Sequence, residues 1–380
     1  MKLPLLPLAF AGLLAASLTA AVPDSVVLNI PSTPEHPRNS EGAFVTLHSG
    51  RIEFYFSQFS GGYSDYSTAR IAEIHSDDQG RTWSAPHAFV EKAGGINLMS
   101  VSALRLASGQ LALFYGIKKS GIDCIPYLLT SRDEAATWSE PNRVVPAPGY
   151  FVLNNDRVIQ TSSGRLILPV AFNRSLLPNA DVVNEKVRPN DYRGIIIWYL
   201  SDDEGATWRE ADTWWTLPIA SETGLQEPGV VELADGSLYS WARTGQGRQY
   251  SFRSRDGGKT WSPPEPTELL SPCSPASIKR LPGSDALLAI YNDYSFPHPT
   301  GRSAYRGRTP LVAAISHDGG RTWGQKKLLE NDPNGEFAYI AVHFVGDSVL
   351  LGYSAGQTGK GHLGSLRIRR VSLAWLEAAP

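Results

Sequence analysis

Short apolar runs, each followed by a turn-forming pair such as Ser49-Gly50 or Asp235-Gly236, recur along most of the chain. Runs of this length bounded by turn residues are typical of β-strands joined in hairpins. The runs group into a repeated unit with an apolar strand, a turn, a second strand, a variable loop and a third strand. The first strands of the six units are predicted at 43–48, 101–106, 157–161, 229–234, 277–281 and 340–345. Six copies of such a unit predict an all-β repeat architecture.

An eight-residue motif, S-x-D-x-G-x-T-W, ends the third strand in five of the six units. Its copies lie at 76–83, 131–138, 201–208, 254–261 and 316–323, and the second copy has Ala135 in place of Gly. The Asp carboxylate can accept backbone N–H bonds across a tight turn, and Gly permits a positive φ. Thr and Trp then open the next strand, where the indole can pack between sheets. Units of about 50–70 residues of this kind predict the blades of a β-propeller.

The sixth unit, 340–372, has no motif and no fourth strand of its own. Residues 25–31 form one short apolar run before the first unit. We expect this run to complete the sixth blade and close the ring, so that residues 22–380 form a single six-bladed propeller domain. The segments that enter the first strands and the loops between second and third strands then share one face near the axis, where chemistry is expected.

The N-terminal residues 1–21 resemble a secretory signal peptide, with Lys2, an apolar run to Leu18 and small residues at the end. The run is too short for a membrane anchor, so we expect a secreted or periplasmic protein without a membrane span. The formal net charge of −2 favours no nucleic-acid partner. Two cysteines, Cys124 and Cys273, leave open either a disulfide or two free thiols.

The five motif copies resemble the Asp boxes of the sialidase superfamily, which implies a six-bladed propeller. Five further positions carry the resemblance into the site. The segment 225–244 resembles the sialidase stretch that places a Glu on Glu227 and a binding Arg on Arg243. The segment 336–342 places the family's tyrosine on Tyr339, and the 60–68 loop places its acid/base on Asp65. A further binding arginine falls on Arg308.

The resemblance implies a retaining exo-sialidase that releases terminal sialic acid or a related acidic sugar from a glycan. A sialoside bears a carboxylate on its anomeric carbon, which would repel a carboxylate nucleophile, whereas a tyrosine avoids the repulsion. Tyr339 would be the nucleophile, with Glu227 taking its proton as attack proceeds. Asp65 would protonate the leaving oxygen, and the forked guanidinium groups of Arg243 and Arg308 would bind the carboxylate. No cofactor or metal is expected.

The first blade departs from the family pattern. Sialidases enter it with Arg-Ile-Pro, whereas this chain has Ser40 at the arginine position, with Arg38 two residues earlier and Glu41 next to it. Arg38 is a candidate replacement, and Glu41 and Arg157 are candidate substrate contacts near the axis. Two other functions stay open, namely a propeller glycosidase or polysaccharide lyase for another sugar, and a glycan-binding propeller without catalysis.

Overall fold

The computed structural model describes residues 24–91, 94–176, 189–295, 307–357 and 360–378, and the expected signal peptide over 1–21 lies outside them. The described residues form six blades of antiparallel strands. The strand β1 (Asp24–Ile30) comes first in the chain and belongs to the last blade. Blade 1 contains β2 (Asn39–Thr46), β3 (Ile52–Ser60), β4 (Thr68–Ser76) and β5 (His87–Val90). Blade 2 contains β6 (Asn97–Arg105), β7 (Leu111–Ser120), β8 (Asp123–Ser131) and β9 (Asn142–Arg143).

The remaining four blades follow in chain order. Blade 3 contains β10 (Tyr150–Val152), β11 (Ile159–Gln160), β12 (Leu166–Asn173), β13 (Ile195–Ser201) and β14 (Arg209–Glu210). Blade 4 contains β15 (Gln226–Glu232), β16 (Leu238–Arg243), β17 (Arg248–Ser254) and β18 (Glu265–Leu270). Blade 5 contains β19 (Ser277–Arg280), β20 (Leu287–Asn292), β21 (Leu311–Ser316) and β22 (Gly324–Glu330). Blade 6 contains β23 (Gly335–Val345), β24 (Ser348–Gln357), β25 (Lys360–Ser372) and, from the N-terminus, β1; the helix α1 (Leu373–Glu377) follows.

The predicted closing strand is confirmed, because β1 forms the outer strand of blade 6. It pairs antiparallel with β25, with Asp24 opposite Val371 and Ile30 opposite Leu366. An ion pair of 2.5 Å between Arg369 Nη1 and Asp24 Oδ2 ties the start of β1 to the same strand. The two ends of the described chain therefore share one sheet.

Buried apolar side chains form one cluster at each interface between neighbouring blades. The cluster between blades 6 and 1 contains Phe44, Phe54 and Leu350, all 4% exposed or less. Since blade 1 packs on blade 6 as well as on blade 2, the ring is closed, and the expectation of a six-bladed propeller is confirmed. No helix in the described part of the chain is long and apolar enough to cross a membrane.

The five Asp boxes adopt one hydrogen-bonded turn. In each, the Thr hydroxyl donates to the Asp carboxylate over 2.5–2.7 Å, and the Ser hydroxyl donates to the other carboxylate oxygen. Ala135 takes up the glycine conformation of the second box, at φ 67°. The indole of Trp261 then stacks on Trp198 of blade 3, with ring centroids 4.4 Å apart. The boxes are thus peripheral turns, as predicted.

The inner strands differ from their predicted limits. Those of blades 1, 2, 4 and 6 begin three to five residues earlier than expected, because the residues before the predicted starts also pair with the second strand. In blade 3 the inner strand is divided into β10 and β11, and residues 153–158 leave the sheet between them. Both differences place polar side chains at the axis.

Candidate active site

Four inner strands carry the same irregularity near their first residues. The register of β2, β6, β15 and β23 shifts by an extra residue, which is the signature of a β-bulge. Each bulge holds a non-glycine residue at positive φ: Glu41 at 54°, Ser100 at 65°, Glu227 at 46° and Tyr339 at 61°. Such a conformation costs about 1–3 kcal/mol per residue and is concentrated at functional sites. The bulges turn these four side chains toward one cavity.

The cavity has a volume of about 180 Å³ and lies where the inner strands converge. Its walls combine three carboxylates, Glu41, Asp65 and Glu227, with the cations Lys118 and Arg243 and the phenol of Tyr339. Aromatic and apolar side chains complete the wall, among them Tyr66, Tyr150, Tyr192, Met99, Val152 and Leu153. This combination of charged and aromatic groups suits a polar ring such as a sugar.

Tyr339 and Glu227 line the same cavity as Arg243, the arginine of blade 4. Arg243 Nη1 lies 3.1 Å from Glu227 Oε2, and the guanidinium of Arg308 lies 5.1 Å from the centre of the Tyr339 ring. Burial and the charge of Glu227 raise the pKa of Tyr339 above its ordinary value of 10.0, while Arg308 and Arg243 oppose the rise. Tyr339 therefore keeps its proton in the free protein and needs a base to become a nucleophile.

Asp65 lies on the loop between β3 and β4, with 56% of its side chain exposed. Arg38 Nη1 donates to its Oδ1 over 2.6 Å, and Lys118 Nζ donates to its backbone carbonyl over 2.7 Å. Partial burial works to raise the pKa of Asp65, but the charges of Arg38 and Lys118 outweigh it and hold the pKa below its usual range. Asp65 is thus ionised at neutral pH and open to solvent and ligands.

Glu41 lies at the wall of the cavity in the first blade, next to Ser40. Its carboxylate is 2% exposed and accepts hydrogen bonds from Arg38 Nη2, over 2.7 Å, and from the Ser100 hydroxyl. Burial raises the pKa of Glu41, and Arg38 lowers it. Both Nη groups of Arg38 are therefore occupied by carboxylates, so Arg38 organises Glu41 and Asp65.

The other two predicted arginines have different surroundings. Arg308 lies beside Tyr339, and its buried Nη1 has no hydrogen-bond partner among the described residues, which leaves it available to an anionic ligand. Arg157 does not reach the cavity. Its guanidinium is 1% exposed and donates to Ala276 O over 2.7 Å and Ser277 Oγ over 3.1 Å. The prediction of substrate binding by Arg157 is corrected to a link between blades 3 and 5, because its guanidinium is buried and bonded to Ala276 and Ser277.

Sequence reasoning missed Asn154 as a support of the site. Its Nδ2 donates to Glu227 Oε2 over 3.1 Å, while Asn155 Nδ2 donates to the backbone carbonyl of Tyr339 over 3.1 Å. The segment 153–158, which leaves the blade 3 sheet, thus orients the Glu and supports the strained backbone of the Tyr. The weak signal in the sequence was the polar run 154–157 at a position where an inner strand was expected.

The same segment connects blade 3 to the rest of the ring. Asp156 accepts hydrogen bonds from Lys279 Nζ of blade 5 over 2.8 Å and from Val342 N of blade 6 over 2.9 Å. Its own backbone N–H donates to Val101 O of blade 2 over 2.9 Å. Asn155 Nδ2 also donates to Gly42 O of blade 1. With the contacts of Asn154 and Asn155 described above, residues 154–156 therefore form hydrogen bonds with all five other blades.

Cys124 is buried and Cys273 partly buried, and both are free thiols, so the open question of a disulfide is resolved.

Comparison with known proteins agrees with this architecture. A family model described as a BNR repeat-like domain matches residues 97–351. A sialidase of Bacteroides fragilis (strain YCH46) is 26% identical over 233 residues, a match that covers 57% of this chain and 37% of that protein. The matched part of the chain therefore spans little more than a third of that relative.

Solved structures share the fold at low sequence identity. The intramolecular trans-sialidase of Ruminococcus gnavus, in complex with oseltamivir carboxylate, superposes with a TM-score of 0.69 and 16% identity over 95% of this chain and 100% of that chain. The sialidase of Trypanosoma rangeli, in complex with 2,3-difluorosialic acid as a covalent intermediate, has a TM-score of 0.69 and 18% identity over 93% of this chain and 59% of that chain.

Proposed function

The chain belongs to the BNR repeat-like domain family and has the sialidase superfamily fold, and on that premise we propose that it is a retaining sialidase-like glycoside hydrolase. The observation that carries the proposal is the convergence of Tyr339, Glu227 and Arg243 with Asp65 at one cavity. Tyr339 and Glu227 are both held on bulges at positive φ, a strained backbone conformation of the kind concentrated at functional sites.

In the proposed reaction, Tyr339 Oη attacks the anomeric carbon while its proton passes to Glu227. The glycosidic C–O bond breaks, and Asp65 donates a proton to the departing oxygen. Asp65 then removes a proton from a water molecule, which attacks the same carbon. The bond to Tyr339 breaks, and Glu227 returns the proton to the phenol. The anomeric configuration is inverted twice and is therefore retained.

Arg243 and Arg308 are the proposed binding groups for an anionic substituent on the sugar. Arg243 also touches Glu227. Arg308 lines a separate cavity with Cys273, but its guanidinium lies beside the Tyr339 ring and its Nη1 has no hydrogen-bond partner among the described residues. A forked guanidinium binds a carboxylate through charged hydrogen bonds that contribute roughly 1.5–3 kcal/mol each. The proposed substrate is therefore a glycan with a terminal acidic sugar.

A release assay tests this activity. The purified protein is incubated with α-linked sialosides of several linkages, and the products are examined for free sialic acid and for unsaturated uronates. We expect sialic acid, released first with retained configuration as followed by NMR. Unsaturated uronates would indicate a lyase, and binding without release would indicate a glycan-binding propeller; either result contradicts the proposal.

One observation favours a second candidate, a glycosidase for a sugar without an anomeric carboxylate. Glu41 places a buried carboxylate at the wall of the cavity and would accept hydrogen bonds from sugar hydroxyls. In the same assay, release of a neutral sugar with no release of sialic acid would favour this candidate.

Export also stays a proposal. The N-terminal sequence 1–21 supports a secreted or periplasmic location. The mass of the protein recovered from its native host tests it, because a chain that still carries residues 1–21 in the cytoplasm would contradict export.

A further inference from the structure

A second cluster of ligand-type side chains lies on blade 1, outside the cavity. Glu53 of β3, with Glu73 and His75 of β4, places two carboxylate oxygens and an imidazole nitrogen all within 4.8 Å of one another. The register of the two strands explains the cluster, because Glu53 lies opposite His75 and Tyr55 lies opposite Glu73. Directly opposed residues and residues two apart share one face of a sheet, so the four side chains project together.

Two buried oxygen atoms at this cluster lack hydrogen-bond partners among the described residues. They are Glu53 Oε2 and the hydroxyl oxygen of Tyr55. Glu53 is 4% exposed and Tyr55 is 0% exposed. Burying a polar atom without a partner costs about 1–3 kcal/mol, and more for a charged group. The unsatisfied atom of Glu53 belongs to the group that converges with Glu73 and His75, so a ligand placed there would satisfy it.

The charges around the cluster also call for a cation. Glu53 and Glu73 place two neighbouring carboxyl groups on this face of the sheet. Arg51 is the nearest strong cation, but its Nε and Nη2 donate to Asp77 over 2.7 and 3.1 Å. The imidazole of His87, directly opposite Glu73 on β5, approaches Glu73 Oε1 only to 3.5 Å. The two carboxylates therefore share a site in which the protein supplies no hydrogen-bonded cation of its own from the described residues.

From this geometry we propose that Glu53, Glu73 and His75 bind a divalent transition-metal ion of the zinc type. Imidazole and carboxylate together are a ligand set typical of Zn²⁺, whereas Ca²⁺ and Mg²⁺ favour oxygen ligands alone. His87 or water would complete the coordination. The ion would fasten β3 to β4 at the end of blade 1 where the first Asp box begins at Ser76.

The proposed ion is structural. The cavity lies at the opposite end of β3, beyond Ser60, where the loop to β4 carries Asp65. The inference is therefore independent of the proposed glycosidase activity, and metal binding can be measured whether or not the protein hydrolyses any glycan.

The test is a calorimetric titration of untagged, EDTA-treated and dialysed mature protein with ZnCl₂, with Tm measured before and after loading. We expect one ion per chain and a higher Tm in the loaded protein. Mn²⁺ is expected to bind more weakly and Ca²⁺ not at all. Because loss of an outer-shell partner already weakens metal sites about 10–100-fold, Glu73→Gln and His75→Asn should each weaken Zn²⁺ binding at least about a hundredfold.

His48→Asn is the matched control. His48 also lies on blade 1 beside a carboxylate, Glu134, but is 70% exposed and belongs to a cluster with Arg105. It should bind Zn²⁺ as the wild type does. The Tm of each variant, and of Glu53→Gln, is also measured in EDTA. A cooperative transition there shows that the variant is folded without a metal ion.

Two results would overturn the inference. One is a wild-type protein that neither binds Zn²⁺ nor gains Tm, in which case Glu53 and Glu73 share a proton instead. The other is Zn²⁺ binding that persists unchanged in folded Glu73→Gln and His75→Asn, which would place the ion elsewhere.

Discussion

At the scale of single residues, the proposed function divides the four predicted site arginines into two that would bind the ligand and two that organise the protein. Arg308 has a buried donor without a partner among the described residues, and Arg243 bridges Glu227 and Gln226 at the cavity wall. Arg38 is engaged by Glu41 and Asp65, and Arg157 by the backbone of blade 5. Substituting each group therefore has a different expected consequence.

Arg243→Lys keeps the charge but loses the planar fork that would contact the substrate carboxylate. We expect kcat/KM for a sialoside to fall at least about tenfold, or about 1.5 kcal/mol of transition-state binding. Arg157→Lys is the matched control, because it should lower Tm without changing kcat/KM of the folded protein. An Arg243→Lys enzyme with wild-type kcat/KM would show that the substrate carries no carboxylate at this position.

Arg38→Ala should change the dependence of kcat/KM on pH. Arg38 lowers the pKa of Asp65, and a general acid must carry a proton, so the wild type should be most active on the acid side of neutrality. Without Arg38 the pKa of Asp65 rises, and the alkaline limb of the kcat/KM profile moves to higher pH. The measurement is kcat/KM between about pH 4 and 8. An unshifted kcat/KM profile would show that Asp65 is not the general acid.

At the scale of elements, each Asp box fixes a turn through the same few hydrogen bonds. Asp256 accepts from the Ser254 hydroxyl over 2.8 Å, from Thr260 N over 3.0 Å and from the Thr260 hydroxyl over 2.6 Å. These bonds lie on the periphery and do not touch the cavity, so their loss should affect stability alone.

We expect Asp256→Ala to lower the free energy of unfolding by roughly 1–3 kcal/mol, measured by urea denaturation. Asp235→Ala is a suitable control, because Asp235 lies in an exposed turn and, among the described residues, accepts only from Ser237. Its effect should be smaller, and kcat/KM of both folded variants should equal that of the wild type. A selective loss of turnover in Asp256→Ala would contradict a purely structural role.

The boxes were predictable from the sequence because each is a local turn whose residues all lie within eight positions. Glu227 and Tyr339 were assigned to the site only through the family resemblance, and their bulges were not predicted, since no local pattern distinguishes a bulged strand start from a regular one. The inward turn of residues 153–158 depends on hydrogen bonds to five other blades, and for that reason the orientation of Arg157 and the support by Asn154 could not be read from the sequence.

At the scale of the whole molecule, the ring is held closed by a strand from the opposite end of the chain. Val27, Leu28 and Ile30 of β1 pack against the cluster between blades 6 and 1. The closure was predictable because the sixth unit has no fourth strand of its own and one apolar run before the first unit belongs to no other blade. The ion pair of Arg38 with Asp65 was not predicted, because Asp65 lies on the distant loop between β3 and β4.

Leu28→Ala should lower the free energy of unfolding by about 1–2 kcal/mol, because it removes part of the apolar seal of the ring. Val26 lies on the same strand but is 43% exposed, so Val26→Ala should cost less. Urea denaturation of both variants compares them. Equal effects would show that β1 contributes only its backbone pairing to closure.

The central claim, a retaining hydrolase with Tyr339 as nucleophile, is tested most directly by Tyr339→Phe. This substitution removes only the phenolic oxygen, and the ring still fills its position beside Arg308. The measurement is kcat/KM on the sialoside that the wild type hydrolyses best, with Tm and ligand binding measured on the same preparation. We expect folding and binding to persist while turnover falls by at least about a hundredfold. Wild-type turnover in the Tyr339→Phe protein would contradict the account.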